Sequence, residues 1–322
     1  MTDICVIIAA HDASATVAQA VRSALTQPEV AEVVVIDDAS GDATAEAARA
    51  ADDGTGRLTV ERLARNAGPS AARNRAIAVS RAPRIAILDA DDFLLPGRFA
   101  RLDPGFDLAA DNIVFVTPDH AAALVPDALP AAAGSVEMLD AERFALGNLA
   151  QGVRRGELGF LKPVMARAFL DQHGLRYDEG LWLGEDFDLY MRMLLRGARF
   201  GLIRAVGYVA IERSTSLSGR HRTADLAALE AACLAHLDLP APDGTKAALR
   251  RHLDQVRAKV LLRRFLDRKA EAGLGAALGF ALAPPSRFLP IARGIARDKI
   301  SALRPPRPPQ RERLLLPVEQ PS

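Results

Sequence analysis

Three short runs of consecutive apolar residues near the start of the chain most constrain its fold. They occupy positions 4–9, 33–36 and 85–88. Continuous apolar runs of this length are typical of strands that are buried on both faces of a parallel sheet. Helix-forming segments lie between them, over about residues 17–25 and 44–49. The resulting β-α-β-α order predicts an α/β fold with a mainly parallel sheet, flanking helices and right-handed crossovers.

Polar residues follow each of the three runs. They are Ala10-His11-Asp12, Asp37-Asp38 and the acidic group Asp89-Ala90-Asp91-Asp92. In a parallel sheet the carboxyl ends of the strands share one rim, and ligands bind outside that rim. We therefore expect these segments, although distant in the chain, to form one binding site.

The acidic group at residues 89–92 is the strongest candidate for a metal site. It places three carboxylates within four residues, and these repel one another unless a cation or solvent lies between them. Mg²⁺ or Mn²⁺ is typically held by one or two carboxylates together with substrate phosphates. The alternative is an acidic turn that caps a helix starting near Pro96. The expected proximity to Asp37-Asp38, whose carboxylates can accept from a base or a ribose, favours a metal and nucleotide site.

A loop from Asn66 to Asn74 leads into a helix that we expect Ser70 to cap. Helix N-termini favour anions, and Arg73 is placed to reach a phosphate or a carboxylate. The alternative is a capped helix on the surface. The segment contains neither GxxxxGK[ST] nor GxGxxG, so it is not a P-loop or a dinucleotide fingerprint.

The acidic pair Glu185-Asp186, which follows Gly184, is a second group of candidate site residues. The pair begins a helix predicted over residues 185–196, which Gly197 ends. The two acids either complement the helix dipole or supply a general base for an acceptor hydroxyl.

Two single side chains extend these candidates. Trp182 is either a platform on which a sugar stacks or a residue of the core. His221 follows a polar loop and is either a contact for a diphosphate or metal, or a solvated histidine.

Composition excludes several classes of protein. The net charge of +1 argues against a nucleic-acid-binding protein, and two cysteines without a CxxC pair argue against a zinc site or a disulfide framework. The few cysteines favour a reducing compartment. Neither a secretory leader nor an apolar stretch of about 20 residues is present, so we expect a cytoplasmic protein that is soluble or lies on a surface.

The second half of the chain becomes helical and basic. Strands are predicted over residues 160–164, 200–203 and 208–211. We predict a first domain over residues 1–221 and a helical extension over residues 222–322. Between Lys246 and Arg313 there are 17 Lys or Arg against 5 Asp or Glu. This region is either a solvated helical face or a surface for an anionic membrane, and the proline-rich stretch at 305–309 is expected to be extended or disordered.

Together these motifs resemble those of the family-2 glycosyltransferases. The matching segments are residues 6–12, 35–40, 66–74, 88–92 and 184–186. They occur in the family's order and span most of the predicted first domain. The first hundred residues are most similar to bacterial exopolysaccharide glucosyltransferases of the succinoglycan type. One departure is that the family's first motif usually carries Pro and Tyr where this chain has Ala9 and His11.

The resemblance implies a GT-A fold and an inverting transfer from a nucleotide-diphosphate sugar, expected to be UDP-glucose. A Mn²⁺ or Mg²⁺ ion is the implied cofactor. The implied acceptor is a hydroxyl of a saccharide or of a polyprenyl-linked oligosaccharide in exopolysaccharide synthesis. Such an acceptor would place the enzyme on the inner face of the cytoplasmic membrane.

The resemblance also implies roles for individual residues. Asp38 would contact the uracil, and Asp89 the ribose or the diphosphate. The other implied donor-side contacts are Ala10, His11, Asp12 and Arg73. Asp91 would be the metal ligand, with Asp92 assisting. Asp186 would be the catalytic base, and Glu185 would orient the acceptor.

Other function classes share parts of this pattern. A sugar-phosphate nucleotidyltransferase usually has a Gly-rich loop with Lys or Arg after the first strand, where this chain has His11-Asp12-Ala13-Ser14. A non-catalytic nucleotide-binding module has no need of both Asp91 and Asp186. A polyprenyl-phosphate-dependent enzyme with membrane-spanning helices is disfavoured because no such helix is predicted.

Overall fold

The computed structural model describes residues 3–121, 123–124, 129, 135–149, 156–212, 222–303 and 311–317. Its first part is the predicted parallel sheet. The strands are β1 (Ile4–Ala10), β2 (Val30–Asp37), β3 (Leu58–Arg62) and β4 (Arg84–Ile87), and they lie in the order β3-β2-β1-β4 with every pair parallel. Strand β1 is buried along almost its whole length because helices cover both faces of the sheet.

Three helices connect these strands. They are α1 (Val17–Leu25), α2 (Thr44–Arg49) and α3 (Pro69–Val79). The expectation that Ser70 caps α3 is wrong. The cap position is Gly68, Pro69 occupies the first turn where its missing N–H is no loss, and the Ser70 hydroxyl donates to the Leu181 carbonyl at 3.0 Å.

The second part of the sheet is mixed. It contains β5 (Phe93–Leu94), β6 (Leu108–Val116), β7 (Glu137–Met138), β8 (Val164–Ala166) and β9 (Phe200–Ile211). Strand β8 lies antiparallel between β4 and β6, whereas β9 is parallel to β6 and carries β5 and β7 antiparallel to it. The parallel core and the flanking helices confirm the predicted fold class.

Two strand predictions in this part differ from the structure. Residues 158–160 form a short 3₁₀ turn, and the strand predicted over 160–164 begins only at Val164. The two strands predicted over 200–203 and 208–211 are one strand of twelve residues. Arg204 does not interrupt it, because its guanidinium donates to Glu137 on the neighbouring strand β7 at 2.6 Å.

The remaining helices precede and follow β9. They are α4 (Pro118–Ala121), α5 (Ala141–Gly147), α6 (Arg167–Gln172), α7 (Glu185–Leu194), α8 (Thr223–Asp238), α9 (Asp243–Leu282) and α10 (Phe288–Leu303). Helices α8 and α9 begin at the main core, to which they contribute Leu226, Leu229, Leu249 and Leu253. Helix α9 is interrupted at Gly273, whose φ is +82°, and the segment beyond it packs with α10 around a separate small cluster.

The end of the chain returns to the sheet. Strand β10 (Glu312–Leu314) pairs antiparallel with residues 114–116 of β6. The proline-rich stretch at 305–309 lies outside the described residues.

Among the described residues, no single helix has both the length and the apolar character needed to cross a bilayer. One pair, spanning 243–282 and 285–300, meets those requirements only when taken together, and the two helices are bent by 106° at the break between them.

Candidate active site

The carboxyl ends of β1 and β2 meet as predicted. The Asp38 amide donates to the Ala10 carbonyl at 2.8 Å, and the Gly41 amide donates to the Asp12 carboxylate at 2.7 Å. His11 donates from Nδ1 to the Asp38 carbonyl at 2.9 Å, which leaves its Nε2 to accept from Asn66 at 3.1 Å. The first two polar segments and the start of the 66–74 loop therefore form one continuous rim.

Asp38 holds this loop in place. Its two carboxylate oxygens accept from the backbone amides of Ala67 at 2.7 Å and Gly68 at 2.8 Å. Gly68 has a φ of +91°, a conformation that side chains other than glycine rarely adopt. The side chain of Asp38 is buried, and its two hydrogen bonds fix the backbone of the loop next to the rim.

Arg73 connects the end of β4 with the start of α7. Its Nη2 donates to Asp89 at 3.0 Å, and its Nη1 lies 2.9 Å from Glu185 and 3.3 Å from Asp186. Burial disfavours the charged guanidinium, but the surrounding carboxylates outweigh burial and hold the pKa of Arg73 above its ordinary value. One buried cation thus brings together the acidic segments at 89–92 and 184–186, which are far apart in the chain.

Lys162 is a second buried cation in the same cluster, and sequence reasoning missed it. Its Nζ lies 3.0 Å from Asp89 and 2.9 Å from Asp186. Burial would lower the pKa of Lys162, but the two carboxylates raise it above its ordinary value, so the lysine is charged. A signal was present, because a lone lysine within the apolar stretch Phe160-Leu161-Lys162-Pro163-Val164 must find a partner when it is buried.

Tyr177 completes the surroundings of Asp186. Its hydroxyl donates to Asp186 at 3.2 Å, and burial, followed by the charge of Asp186, raises the pKa of the phenol well above its ordinary value. The Asn74 side chain fixes the tyrosine backbone, since it donates to the Tyr177 carbonyl and accepts from the Tyr177 amide, both at 2.9 Å. The Asp186 carboxylate is therefore buried and contacted from three sides, by Arg73, Lys162 and Tyr177.

Asp92 lies deeper than the other acids of its group. Its oxygens accept from the Tyr208 hydroxyl at 2.7 Å and the Ile211 amide at 2.8 Å. Burial, and then the charges of Asp89 and Asp91, raise the pKa of Asp92 well above its ordinary value.

The rim suits a divalent cation that is held partly by substrate. Among the described residues, no three His, Cys, Asp or Glu side chains converge into a ready-made metal cage. Mg²⁺ and Mn²⁺ sites in phosphate-transferring enzymes use one or two carboxylates and complete their coordination with phosphate oxygens and water. The segment at 89–92 supplies carboxylates of the kind that such a site uses.

Trp182 is a surface residue beside the loop and not a part of the core. It is 46% exposed, and the Arg222 guanidinium lies 5.7 Å from its ring centroid. A Cβ placed on Gly68 would lie 3.0 Å from Cζ2 of Trp182, so the indole packs directly on the loop. His221 lies outside the described residues.

The parallel sheet has an acidic rim at its strand ends and a Glu-Asp pair at the N-terminus of α7 beside it, which is the arrangement that the resemblance to the GT-A glycosyltransferases implied. The family model "Glycosyl transferase family 2" matches residues 5–128. The succinoglycan biosynthesis protein ExoU of Rhizobium meliloti (strain 1021) is 51% identical over 310 residues, which cover 94% of this chain and 90% of that protein. ExoO of the same organism is 33% identical over 311 residues, which cover 92% and 86%. The chain belongs to glycosyltransferase family 2, as its motifs predicted.

Solved structures share the fold at low sequence identity. S. aureus TarS 1-349 in complex with UDP-GlcNAc superposes with a TM-score of 0.56 at 19% identity, covering 83% of this chain and 74% of TarS 1-349. The mannosyltransferase PcManGT from Pyrobaculum calidifontis, in complex with GDP-Man and Mn²⁺, gives 0.53 at 18% identity and covers 94% and 81%. These likenesses confirm the predicted GT-A fold.

Proposed function

We propose that this enzyme transfers glucose from UDP-glucose, with inversion, to a hydroxyl of a lipid-linked oligosaccharide in exopolysaccharide synthesis. The observation that carries the proposal is the pair of buried cations, Arg73 and Lys162. Both contact the donor-side Asp89 and the acceptor-side Asp186, so one charged cluster spans the two halves of a transfer site. The similarity to ExoU and ExoO supports the pathway, and the TarS complex with UDP-GlcNAc supports a UDP-sugar donor.

The donor is proposed to lie along the strand ends. Ala10, His11, Asp12 and Asp38 border the position of the base. Arg73 and Asp89 border the ribose and the diphosphate. In support, hydrogen bonds join the ends of β1 and β2 in the first group. In the second group Asp89 follows the adjacent strand β4, and Arg73 of α3 donates to it at 3.0 Å.

The proposed metal ligand is Asp91, with Asp92 assisting. The Mn²⁺ or Mg²⁺ ion would neutralise the charge that develops on the leaving diphosphate. Both oxygens of Asp92 already accept from protein donors, which leaves the larger share of ligation to Asp91. The PcManGT complex, which contains Mn²⁺, supports a divalent ion.

Asp186 is the proposed catalytic base. It accepts the proton of the acceptor hydroxyl while that oxygen attacks the anomeric carbon from the face opposite the diphosphate. The bond from the anomeric carbon to the diphosphate then breaks, and the configuration inverts. Arg73, Lys162 and Tyr177 fix the position of the carboxylate.

Glu185 and Trp182 are proposed to face the acceptor. Glu185 is less buried than Asp186, and its side chain is anchored to Arg73 through one oxygen only. The exposed indole of Trp182 offers a flat apolar surface for a sugar ring. His221 is proposed as a further contact for the diphosphate or the metal. We also propose that the enzyme is cytoplasmic and makes peripheral contact with the membrane through its basic C-terminal region.

The test is a panel of UDP-sugars offered to the purified chain with Mn²⁺, Mg²⁺ or a chelator. We expect UDP release to be fastest with UDP-glucose and to be abolished by the chelator. A preference for another UDP-sugar would overturn the proposed donor but retain the transfer reaction. Synthesis of UDP-glucose from UTP and glucose 1-phosphate would indicate a nucleotidyltransferase, and UDP binding without turnover would indicate a non-catalytic module.

A further inference from the structure

The bend between α9 and α10 carries a cluster of exposed apolar side chains, which we call the apolar tip. Its members are Leu274, Leu278, Leu282, Phe288 and Leu289, and each is between 43% and 56% exposed. The first three are spaced by four residues and so lie on one face of the helix beyond Gly273. Exposed apolar residues that are clustered in this way mark a surface that binds something.

The apolar tip is not surplus core. The inward side of the same two helices already packs on itself, through Phe265, Ala277, Ala281 and Ile291. This cluster is separate from the main core of the sheet. The cluster that holds the two helices together does not include the five exposed side chains.

Charge is distributed around the apolar tip in a specific way. No Asp, Glu, Lys or Arg occurs from residue 272 to residue 286. Over residues 257–299, which contain this stretch, there are 10 Lys or Arg and only 3 Asp or Glu. The guanidinium groups of Arg268 and Arg287 lie 4.9 Å and 4.5 Å from the centroid of the Phe280 ring. Arg268 precedes the bend in the sequence and Arg287 follows it. The uncharged apolar stretch is thus flanked in the sequence by Glu271 and Arg287, within a region where cations outnumber anions.

This arrangement matches the chemistry of an anionic bilayer surface, which offers phosphate groups above and acyl chains below. Basic residues near such a surface are attracted to the lipid phosphates, while apolar side chains at the interface bury their surface among the acyl chains. A soluble anion would have no use for the exposed leucines. A protein partner would have to combine an apolar pocket with an acidic border. An anionic bilayer presents acyl chains and phosphate groups over its whole surface.

We infer that the apolar tip inserts into the interface of an anionic membrane, with Arg268 and Arg287 at the level of the lipid phosphates. The inference extends the proposed membrane contact from general electrostatic attraction to a defined insertion element. It rests on that proposed contact but does not depend on which sugar is transferred. The helices would lie in the interface, with the bend of 106° between them directed at the acyl chains.

The test is co-sedimentation of the full chain with phosphatidylcholine vesicles that do or do not contain phosphatidylglycerol. We expect binding to the anionic vesicles, and a loss of roughly tenfold or more in Leu278→Glu and Phe288→Glu, because each places a carboxylate where apolar surface should be buried. Leu234→Glu is the matched control. Leu234 is also an exposed leucine on a helix, at 40%, but it lies on α8 away from the bend, so binding should be unchanged.

A second measurement reports insertion directly. An environment-sensitive fluorophore on Leu278→Cys should shift to shorter wavelength with anionic vesicles and should keep the shift in high salt, whereas the same label on Leu234→Cys should not respond. The native Cys5 and Cys233 are buried and should not take the label.

Three outcomes would overturn the inference. The tip variants could bind vesicles as tightly as the parent chain, or high salt could release the parent completely, which would leave only electrostatic contact. Alternatively, the parent chain could form a concentration-dependent dimer and not bind vesicles, and the tip variants could abolish that dimer. This result would assign the apolar tip to self-association. UDP release without vesicles should be the same in all these chains, so that a failure of the transfer reaction is recognised separately.

Discussion

The ammonium group of Lys162 lies 2.9 Å from the carboxylate of Asp186, and both side chains are almost entirely buried. Arg73 joins the same cluster, so that two cations face the three carboxylates of Asp89, Glu185 and Asp186. A buried charge is tolerated only when it is paired and hydrogen-bonded. The cluster therefore holds its members in place mutually, and removing one of them exposes the others to the cost of burial.

Replacing Lys162 should destabilise the fold as well as the site. Lys162→Met keeps much of the volume but leaves Asp89 and Asp186 with one cation fewer, and we expect a loss of about 3–5 kcal/mol in the free energy of unfolding. Urea denaturation followed by circular dichroism measures it. Lys162→Arg, which keeps the charge, should lose less. Equal stability of the parent and the methionine variant would show that the ion pairs do not form.

Asp186→Asn should abolish transfer while leaving donor binding intact. An amide cannot take the proton of the acceptor, and general-base help is worth about 10²–10⁴ in rate. The measurement is turnover with the preferred UDP-sugar, together with calorimetric titration of UDP. Glu185→Gln is the neighbouring control, in which we expect a weaker acceptor interaction and a smaller loss of turnover. Unchanged turnover in Asp186→Asn would remove Asp186 from its role.

Asp91→Ala should lose the metal-dependent part of UDP binding. Calorimetry with Mn²⁺ and with a chelator separates that part from the rest. Asp52→Ala, an exposed acid outside the rim, is the control and should bind UDP as the parent does. If Asp91→Ala retained full Mn²⁺-dependent affinity, the ion would have to be held elsewhere.

Gly68→Ala should be more harmful than an alanine at another glycine of positive φ. Gly68 has a φ of +91° and would bring its Cβ to 3.0 Å from Trp182, whereas Gly97 has a φ of +67° and open space around it. Both substitutions strain the backbone by roughly 1 kcal/mol, but only the first also collides with the indole. Chemical denaturation should show the difference, and Trp182→Ala should relieve it in the double variant. Equal losses in Gly68→Ala and Gly97→Ala would show that the indole does not restrict the loop.

His252 should make stability depend on pH on the acid side. Its ring is buried 4.3 Å from that of Phe187, and burial lowers the pKa of His252 from 6.5 to about 4. The native state therefore resists protonation, so the contribution to stability is complete above pH 6.5 and is lost progressively as the pH falls towards 4. Between pH 7 and pH 5, His252→Phe should lose about 2 kcal/mol less stability than the parent. Parallel pH dependence of the two chains in urea titrations would contradict the prediction.

The parts of the fold that were predicted share a strong local pattern. The apolar runs that form β1, β2 and β4 are recognisable from their own residues, without knowledge of any tertiary contact. Their order along the chain was sufficient to predict that Asp12, Asp38 and Asp89 lie on one rim. The features that the sequence did not predict depend on contacts between residues far apart in the chain. Lys162 gains its partners from residues 89 and 186, and the three-residue strand β10 has no periodicity of its own. Strand β9 was predicted as two strands because it contains the charged residue Arg204. In the structure, Glu137 of β7 pairs with Arg204, so the strand continues through it.

The return of the chain to β6 has a consequence for shortened forms of the protein. The buried amide of Asn112 donates to the Leu316 carbonyl and accepts from the Leu316 amide, both at 2.9 Å, next to the pairing of β10. A protein that stops before residue 311 lacks β10, the strand that pairs with the end of β6. Lost transferase activity in such a fragment would then report damage to the catalytic body and would say nothing about attachment to lipid.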